Sequence, residues 1–337
     1  MQNDKILTIS IAAYNVAGYI RQTLDSLLTD EEVLDRIEVL IINDGSTDDT
    51  ARIVAEYEKA HPDSFRVIDK ENGGYGSTVN AGIAEAKGKY FKLLDGDDWF
   101  ETENIPGLIV FLDKCDSDIV LTPYTKVYHK EGRTVLHDEN SSVPDTVKDI
   151  AASGVSDNID MHEMAVRTEL LRGADVKLLE HCFYTDWDFI VKTLISSHSI
   201  CRFSLPVYCY RMGDEGQSVS VSGLKRHYDD ARRVSLEIAR RISDYLNDPE
   251  LCCDDRKRSM LLTRLNRSLS LAYTTMLMQD GKKRVIGEMK AFDAKVRNYP
   301  IAYEHSMLIR RVRMMRRTGF AFIGLYRALF VNGKTFF

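Results

Sequence analysis

The sequence predicts an α/β fold in which a mostly parallel sheet is flanked by helices and followed by a helical C-terminal extension. Four apolar runs, each ending in a small polar cluster, are predicted as strands at residues 6–11, 38–42, 65–68 and 90–94. Helical apolar spacing fills the intervals 18–28, 48–60 and 77–86. Strands that alternate with helices in this way form right-handed βαβ units and therefore a parallel sheet.

The second half of the chain is less regular. We expect strands at 118–122 and 125–129, a polar loop or flap over 137–156, helices at 159–171 and 185–197, and a strand at 201–210. After Gly223 the apolar spacing becomes almost wholly helical. We therefore predict a domain over residues 1–222, with halves of about 1–115 and 116–222, and a helical extension over 223–337.

The composition argues against several classes of protein. The 337 residues carry 45 Lys and Arg against 51 Asp and Glu, a formal charge of −6, so we expect no nucleic-acid partner. The six cysteines include no C-x-x-C pair, which argues against a zinc or thioredoxin-like site. No apolar run reaches the roughly 20 residues that span a bilayer. Because the first residues also lack the pattern of a secretory leader, we expect a cytoplasmic protein.

The polar clusters that follow the predicted strands are the candidate functional residues. In an open parallel sheet, ligands bind in the crevice beyond the carboxyl ends of the strands. These clusters are therefore expected to converge on one site. They are Ala13-Tyr14-Asn15, Asn43 to Asp48, Glu71 to Gly76, and Asp95 to Asp98.

The segment Asp95-Gly96-Asp97 predicts a metal site. Two carboxylates separated by one small residue can reach the same divalent cation, and Mg²⁺ and Mn²⁺ prefer oxygen ligands. Gly96 lets the backbone turn and lets a ligand approach closely. The alternative is an acidic turn that only caps a helix beginning near Asp98.

Two other clusters offer hydrogen-bonding groups where helices begin. The Asp44 carboxylate can accept hydrogen bonds from a base or ribose edge, and the backbone amides after Ser46 suit a phosphate. Asn72-Gly73-Gly74, followed by Asn80, forms a glycine-rich turn that enters a helix. This turn lacks the spacing of a nucleoside-triphosphatase loop, and the dinucleotide-binding glycine pattern is absent after the first strand. A turn that only caps the helix after Asp44 is the alternative for the first cluster.

In this order the motifs resemble those of glycosyltransferase family 2, an inverting family with the Rossmann-like GT-A fold. The likeness covers about residues 5–222. Residues 10–15 look like the opening strand motif, with Ala13 in place of a frequent proline. The segment 44–48 is similar to the nucleotide-binding motif, which implies that Asp44 contacts uracil. Residues 72–82 and 95–98 look like the glycine-rich turn and the metal-binding motif.

The resemblance also implies a catalytic base. Residues 183–189 resemble the segment that carries the base in this family, which makes Asp186 the expected base and Asp188 the second choice. Thr185 stands where the family usually has glutamate, so one supporting carboxylate is missing. The alternative is that Thr185 or Asp186 only caps the following helix.

Further residues are assigned to the donor and the acceptor. The segment that contains Arg211, Ser218 and Ser220 resembles the donor-binding loop found late in the sequences of this family, which implies that these residues lie near the donor pyrophosphate. The alternative is an ordinary polar loop. His162 and Trp99 are candidates for the acceptor pocket. A histidine at a helix start is more often an ordinary residue, and a tryptophan after an acidic turn can equally pack in the core.

Together these roles imply that a sugar moves, with inversion, from a UDP-sugar to a hydroxyl of a glycan or lipid-linked acceptor. The implied cofactor is Mn²⁺ or Mg²⁺, and the product would be a cell-surface polysaccharide, glycolipid or teichoic-type polymer. Residues 1–115 would bind the nucleotide sugar and 116–222 the acceptor.

Two other classes of protein stay open. A sugar-nucleotide nucleotidyltransferase would need a basic glycine-rich loop after the first strand, and residues 12–18 contain no Lys or Arg. A non-catalytic scaffold that binds a nucleotide sugar would explain why no glutamate precedes Asp186.

The C-terminal tail is basic and amphipathic. Residues 307–330 mix arginines with large apolar residues, and no acidic residue follows Glu304. Such a segment can lie in a membrane interface. We therefore expect peripheral membrane contact through residues 304–334, at the inner face of the membrane. The alternative is a helix packed on the catalytic domain.

Overall fold

The structure, a computed structural model, describes residues 5–213, 220–251 and 254–331. The chain divides into two compact units. The first comprises Met1–His181 with Lys192–Gly213, and the second comprises Cys182–Val191 with Asp214–Phe337.

The first unit contains the strands of the described residues. They are β1 (Leu7–Ala13), β2 (Ile37–Asn43), β3 (Phe65–Asp69), β4 (Tyr90–Asp95), β5 (Trp99–Phe100), β6 (Ile119–Leu121), β7 (Tyr124–Tyr128), β8 (Arg133–His137), β9 (Lys148–Asp149), β10 (Met164–Arg167), β11 (Ser199–Arg202) and β12 (Tyr208–Met212). Its helices are α1 (Ile20–Asp25), α2 (Glu31–Leu34), α3 (Thr50–Ala60), α4 (Tyr75–Glu85), α5 (Ile105–Lys114) and α6 (Thr168–Gly173), and α7 (Thr185–Ser196) follows them in the chain.

Two sheets form from these strands in the described part of the chain. The larger has the order β3-β2-β1-β4-β10-β6-β11-β9, and the smaller has the order β5-β12-β7-β8. Strands β3, β2, β1 and β4 run parallel, whereas β10 is antiparallel to both of its neighbours. The predicted α/β fold with a mostly parallel sheet flanked by helices is therefore confirmed.

The central strands are buried on both faces, which explains their nearly continuous apolar sequence. Leu7, Ile9 and Ile11 of β1 are fully buried in one core with Leu108 and Leu112 of α5. Each fully buried side chain of this size stabilises the fold by about 1.5–3 kcal/mol relative to exposure. Burial of this apolar sequence therefore stabilises the central strands of the sheet.

Three predictions for the middle of the chain were wrong in part. Residues 159–171 were expected to be helical, but 164–167 form β10, which inserts between β4 and β6. The strand expected at 201–210 is two strands, β11 and β12, in different sheets. The loop expected at 137–156 contains β9 and buries Val143 and Ile150, so it packs against the fold. A short apolar run fits a helix face and a buried strand equally well.

The second unit is helical in its described residues. Its helices are α8 (Val221–Arg226), α9 (Tyr228–Asn247), α10 (Asp255–Leu277), α11 (Lys282–Val296), α12 (Pro300–His305), α13 (Arg310–Arg317) and α14 (Ile323–Phe330). The predicted helical C-terminal region is therefore confirmed. None of the helices in the described ranges is long and apolar enough to cross a membrane.

Candidate functional site

The carboxyl ends of three neighbouring strands lie side by side. Strand β1 pairs with β2 so that Ala13 is opposite Asn43, and with β4 so that Ala12 is opposite Asp95. The polar segments that follow β1, β2 and β4 therefore begin at the same edge of the sheet. This is the edge at which ligands bind in open α/β sheets.

The segment after β1 is hydrogen-bonded to the segment after β2. Asn15 has a φ of +52°, a left-handed conformation that asparagine tolerates. Its side-chain Oδ1 accepts a hydrogen bond from the Thr47 backbone N–H at 2.8 Å, and its own N–H donates to Ser46 Oγ at 3.1 Å. Tyr14 is half exposed beside them. An exposed ring at this position suits stacking on a nucleotide base.

The Asp44 carboxylate holds the glycine-rich turn. Oδ1 accepts hydrogen bonds from Lys70 Nζ at 2.7 Å and from the Gly73 N–H at 2.9 Å, and Oδ2 accepts one from the Gly74 N–H at 2.8 Å. Asn72 adds a bond from its side-chain amide to the Asp44 carbonyl at 3.0 Å. Gly74 has φ +79° and ψ 174°, a conformation essentially restricted to glycine. Asp44 thus binds the backbone of its own chain, and its contact with uracil stays a prediction.

Asn80 binds another segment of the first unit with both ends of its amide. Its Nδ2 donates to the Leu178 carbonyl at 3.0 Å, and its Oδ1 accepts from the Leu178 N–H at 2.7 Å. A donor contact by Asn80, which the resemblance implies, stays a prediction.

The acidic turn after β4 meets a histidine from another part of the unit. Asp95, Asp98 and His162 each offer one ligand atom, and these atoms lie within 4.8 Å of one another. Gly96 is needed at this turn because a Cβ there would lie 2.9 Å from the Ala12 carbonyl oxygen. Asp97 lies between the two clustered aspartates in the sequence and stays a predicted ligand.

Asp98 is buried and anchored by two donors. The Tyr208 hydroxyl donates to Asp98 Oδ2 at 2.6 Å, and the Arg211 backbone N–H donates to Oδ1 at 2.7 Å. Burial raises the pKa of Asp98 well above its ordinary value of 3.8, and the charges of Asp97 and Asp95 raise the pKa further. A cation would relieve this repulsion.

His162 is fixed from several sides. Its ring stacks on Tyr210 at 4.3 Å between centroids and meets the edge of Tyr208 at 4.8 Å. Burial lowers the pKa of His162 to about 4, so the imidazole is neutral, the form that ligates metals. Its Nδ1 is buried and has no hydrogen-bond partner among the described residues.

A buried lysine supports this histidine through the backbone. Lys92 lies fully buried in β4 and donates from Nζ to the His162 carbonyl at 2.7 Å. Burial lowers the pKa of Lys92 to about 7. The turn that carries His162 is also closed by a capping box between Asp160 and Glu163. Lys92 and the capping box therefore hold the backbone of the turn that carries the imidazole.

The donor set fits a divalent cation such as Mn²⁺ or Mg²⁺. Two carboxylates and one neutral imidazole, whose buried Nδ1 lacks a partner in the described ranges, are ligands that Mn²⁺ accepts readily and Mg²⁺ accepts mainly through oxygen. The sequence predicts Asp95 and Asp97 as ligands, and the structure adds Asp98 and His162 as candidates.

Arg211 braces the acidic turn from the side. Its Nε donates to the Asp97 carbonyl at 2.7 Å and a terminal nitrogen donates to Gln22 Oε1 at 2.6 Å. The guanidinium lies 4.9 Å from the centroid of the Trp99 ring and 5.0 Å from that of Tyr19. Trp99 therefore packs on this arginine, and its acceptor role stays a prediction, as does the contact of Arg211 with a pyrophosphate.

The remaining predicted residues belong to the second unit. Asp186 is half-buried and Asp188 is fully buried, both in the first turn of α7. Asp186 is therefore the more accessible of the two candidate bases. Thr185 is also fully buried. Ser220 caps α8 by accepting a hydrogen bond from the Gly223 N–H at 3.1 Å, and Ser218 lies outside the described residues.

Sequence reasoning included Asp98 in the acidic cluster 95–98 but did not name it as a metal ligand, and it did not find two further residues that build this site. The sequence did contain a signal for Lys92, because it is the one charged residue within the apolar run 90–94, which is buried. The sequence contained no such signal for Tyr208, because its contact with Asp98 arises from the pairing of β12 with β5.

Solved structures share this fold. The structure of S. aureus TarS 1–349 in complex with UDP-GlcNAc superposes with a TM-score of 0.59 over 94% of this chain and 92% of that one, at 21% identity. The fold and the acidic turn at the strand ends define an α/β protein of the GT-A class.

Sequence comparison finds relatives of this chain. The family described as "Glycosyl transferase family 2" matches residues 8–173, just under half of the chain. The chain is 33% identical to the putative glycosyltransferase EpsH of Bacillus subtilis over 143 residues, 42% of this chain and 40% of EpsH. It is 30% identical to the minor teichoic acid biosynthesis protein GgaB of Bacillus subtilis over 141 residues, 41% of this chain and 15% of GgaB. The match thus spans less than half the length of these relatives.

Proposed function

We propose that this protein is an inverting, metal-dependent glycosyltransferase that moves a sugar from a UDP-sugar to a hydroxyl of a glycan or lipid-linked acceptor. The observation that carries the proposal is the arrangement at one sheet edge of the Asp44-bound glycine turn and the group formed by Asp95, Asp98 and His162. The ligand cluster follows β4 at the sheet edge where ligands bind, and its oxygen and nitrogen atoms suit the cation that accompanies a nucleoside diphosphate.

The residues divide the chemistry between them. A sugar hydroxyl is a weak nucleophile, so a carboxylate must accept its proton as attack begins, and we assign this role to Asp186. Asp95 and Asp97, together with Asp98 and His162, would hold Mn²⁺ or Mg²⁺. When bound, the cation supplies Lewis-acid stabilisation of the charge that gathers on the leaving diphosphate. A single displacement at the anomeric carbon inverts its configuration and needs no second carboxylate as nucleophile.

Release of UDP tests the activity. The purified chain is incubated with a panel of UDP-sugars, with Mn²⁺ or with EDTA, and UDP and pyrophosphate are measured separately. We expect UDP release with at least one donor, lost in EDTA. In a parallel incubation with UTP and a sugar 1-phosphate, release of pyrophosphate would mean a nucleotidyltransferase, and no product in either incubation would favour a non-catalytic scaffold. With a glycan acceptor, the anomeric proton coupling in the NMR spectrum of the product reports inversion or retention.

The metal assignment is tested by Asp97→Asn. We expect turnover to fall at least about a hundredfold with the circular dichroism spectrum unchanged, because charge stabilisation by the cation contributes several kcal/mol. Asp175→Asn is the matched control, since Asp175 is exposed and its left-handed backbone suits asparagine. Full activity of Asp97→Asn would remove this residue from the metal site.

The assignment of the base is tested by Asp186→Asn. We expect transfer to fall at least about a hundredfold while UDP binding, measured by calorimetry, is retained. The exposed Asp229→Asn change in the same unit is the control. Normal turnover of Asp186→Asn would move the base to another residue.

A further inference from the structure

The end of the described chain carries apolar side chains that face solvent. Leu308 is 66% exposed, and Phe322, Leu325 and Leu329 are 58%, 54% and 44% exposed. Leu325 and Leu329 lie four residues apart on α14, which places them on one side of the helix, and Phe322 immediately precedes it. The other side of α14 is buried through Ile323 and Tyr326. The helix is therefore packed on one side and apolar on the other.

The arginines of the tail divide into two groups. The side chain of Arg316 is buried, and its Nε donates to Asp293 Oδ1 at 2.6 Å, while Arg327 donates from Nε to the Leu277 carbonyl at 2.8 Å. These two arginines hold the tail to its own unit. Arg310 and Arg317, seven residues apart on α13, are exposed. The exposed side of α13 is thus basic. The next helix in the chain, α14, exposes an apolar side.

We propose that Leu308, Phe322, Leu325 and Leu329, together with Arg310 and Arg317, form a docking surface for an anionic lipid bilayer. We refer to these six residues as the C-terminal patch. Large apolar side chains that enter the interface and arginines that meet anionic head groups are the two contributions that hold a protein on such a bilayer.

Charge favours a bilayer over a second copy of the chain. No acidic residue follows Glu304, so the tail has nothing of its own to neutralise the exposed arginines of another copy. A symmetric contact would bring the same basic side chains of both copies together. Like charges at an interface oppose association, whereas an anionic surface attracts all of them.

The test is sedimentation with phosphatidylcholine vesicles, with and without phosphatidylglycerol, in the absence of donor and acceptor. We expect the chain to sediment with the anionic vesicles and to be released by salt. Phe322→Ser with Leu325→Ser should reduce binding at least about tenfold, because burial of each apolar side chain is lost. Val110→Ser with Leu205→Ser, exposed apolar residues of the first unit, should bind as the original chain does.

The contribution of the two arginines to vesicle binding is tested by charge-reversal variants. Arg310→Glu with Arg317→Glu should remove the preference for anionic vesicles. Lys282→Glu with Lys283→Glu changes the net charge equally at exposed positions outside the patch and should retain it. No sedimentation, or equal sedimentation of patch and control variants, would overturn the proposal. So would self-association in light scattering that the patch variants abolish. Because no donor is present, the outcome is independent of the glycosyltransferase assignment.

Discussion

The Tyr208 hydroxyl donates a hydrogen bond to Asp98 Oδ2 at 2.6 Å and accepts one from the Asp95 backbone N–H at 3.2 Å. One side chain of β12 therefore connects both ends of the acidic turn that follows β4. The turn is positioned by a residue more than 100 positions later in the chain, and this position depends on the smaller sheet.

Tyr208→Phe should weaken cation binding and stability together. We expect a loss of about 1–2 kcal/mol in the free energy of unfolding, because two buried groups lose a hydrogen-bond partner, and a weaker Mn²⁺ affinity by calorimetry. Tyr90→Phe is the control, since that buried hydroxyl donates to the Cys115 and Ser117 carbonyls instead. Tyr90→Phe should lose stability and keep its Mn²⁺ affinity, and an equal loss of affinity in both variants would contradict the role of Tyr208.

Lys92→Met should affect the site through His162. Methionine has a similar volume and avoids burying an ammonium group, so we expect the fold to survive. The His162 carbonyl loses its 2.7 Å donor, and we expect Mn²⁺ affinity to fall about tenfold, as for other residues that orient a ligand. Lys89→Met, which removes a part-exposed lysine of the same stretch, should leave the affinity unchanged. Unchanged affinity in Lys92→Met would show that the histidine is positioned without this lysine.

Gly76→Ala should destabilise the first unit. A Cβ at Gly76 would lie 2.1 Å from the Leu179 carbonyl oxygen, and a backbone atom cannot move aside as a flexible side chain can. We expect a loss of about 1–3 kcal/mol in urea unfolding, although alanine is the better helix former. Gly18→Ala meets nothing within 4 Å and should change stability by less than about 0.5 kcal/mol. If Gly76→Ala were as stable as the original chain, the close approach of residue 179 would be wrong.

The second unit should lose stability in mild acid through His227. This ring stacks on Phe183 at 3.5 Å between centroids, and burial lowers its pKa below the ordinary 6.5, against the opposing charge of Asp230. The unfolded chain then binds more protons than the folded chain below about pH 6.5. Stability is therefore complete above that pH and falls as the pH drops through the folded-state pKa.

His227→Gln should remove this part of the pH dependence. Urea unfolding between pH 5 and 8 measures it (a window around the reference pKa of roughly 6.5), with the exposed His198→Gln as control. A pH dependence that is the same in both variants would mean that other groups cause it.

The sequence predicted the parallel half of the sheet well because β1, β2 and β4 are buried on both faces and all four parallel strands are followed by turn residues. It predicted β10 wrongly because Met164 to Arg167 are too few to distinguish a strand from a helix turn. The pairing of β10 with β4 is a tertiary contact, and local pattern does not encode it.

Spacing in the chain predicted Asp95 and Asp97 as ligands. The structure brings Asp95 together with Asp98 and His162, and the role of Asp97 stays a prediction. The contribution of Tyr208 depends on which strand pairs with β5, and the position of His162 depends on a buried lysine in another strand. Such contacts join residues far apart in the chain and leave no periodic signal.

The hydrogen bonds between Asp44 and the glycine-rich turn affect how a donor would bind. The two N–H groups of Gly73 and Gly74 are already oriented by the carboxylate, and Lys70 neutralises its charge at 2.7 Å. A glycine-rich turn that is ordered before the nucleotide binds loses little conformational entropy on binding. Affinity at this edge would then be governed by contacts with the ligand rather than by the cost of organising the loop.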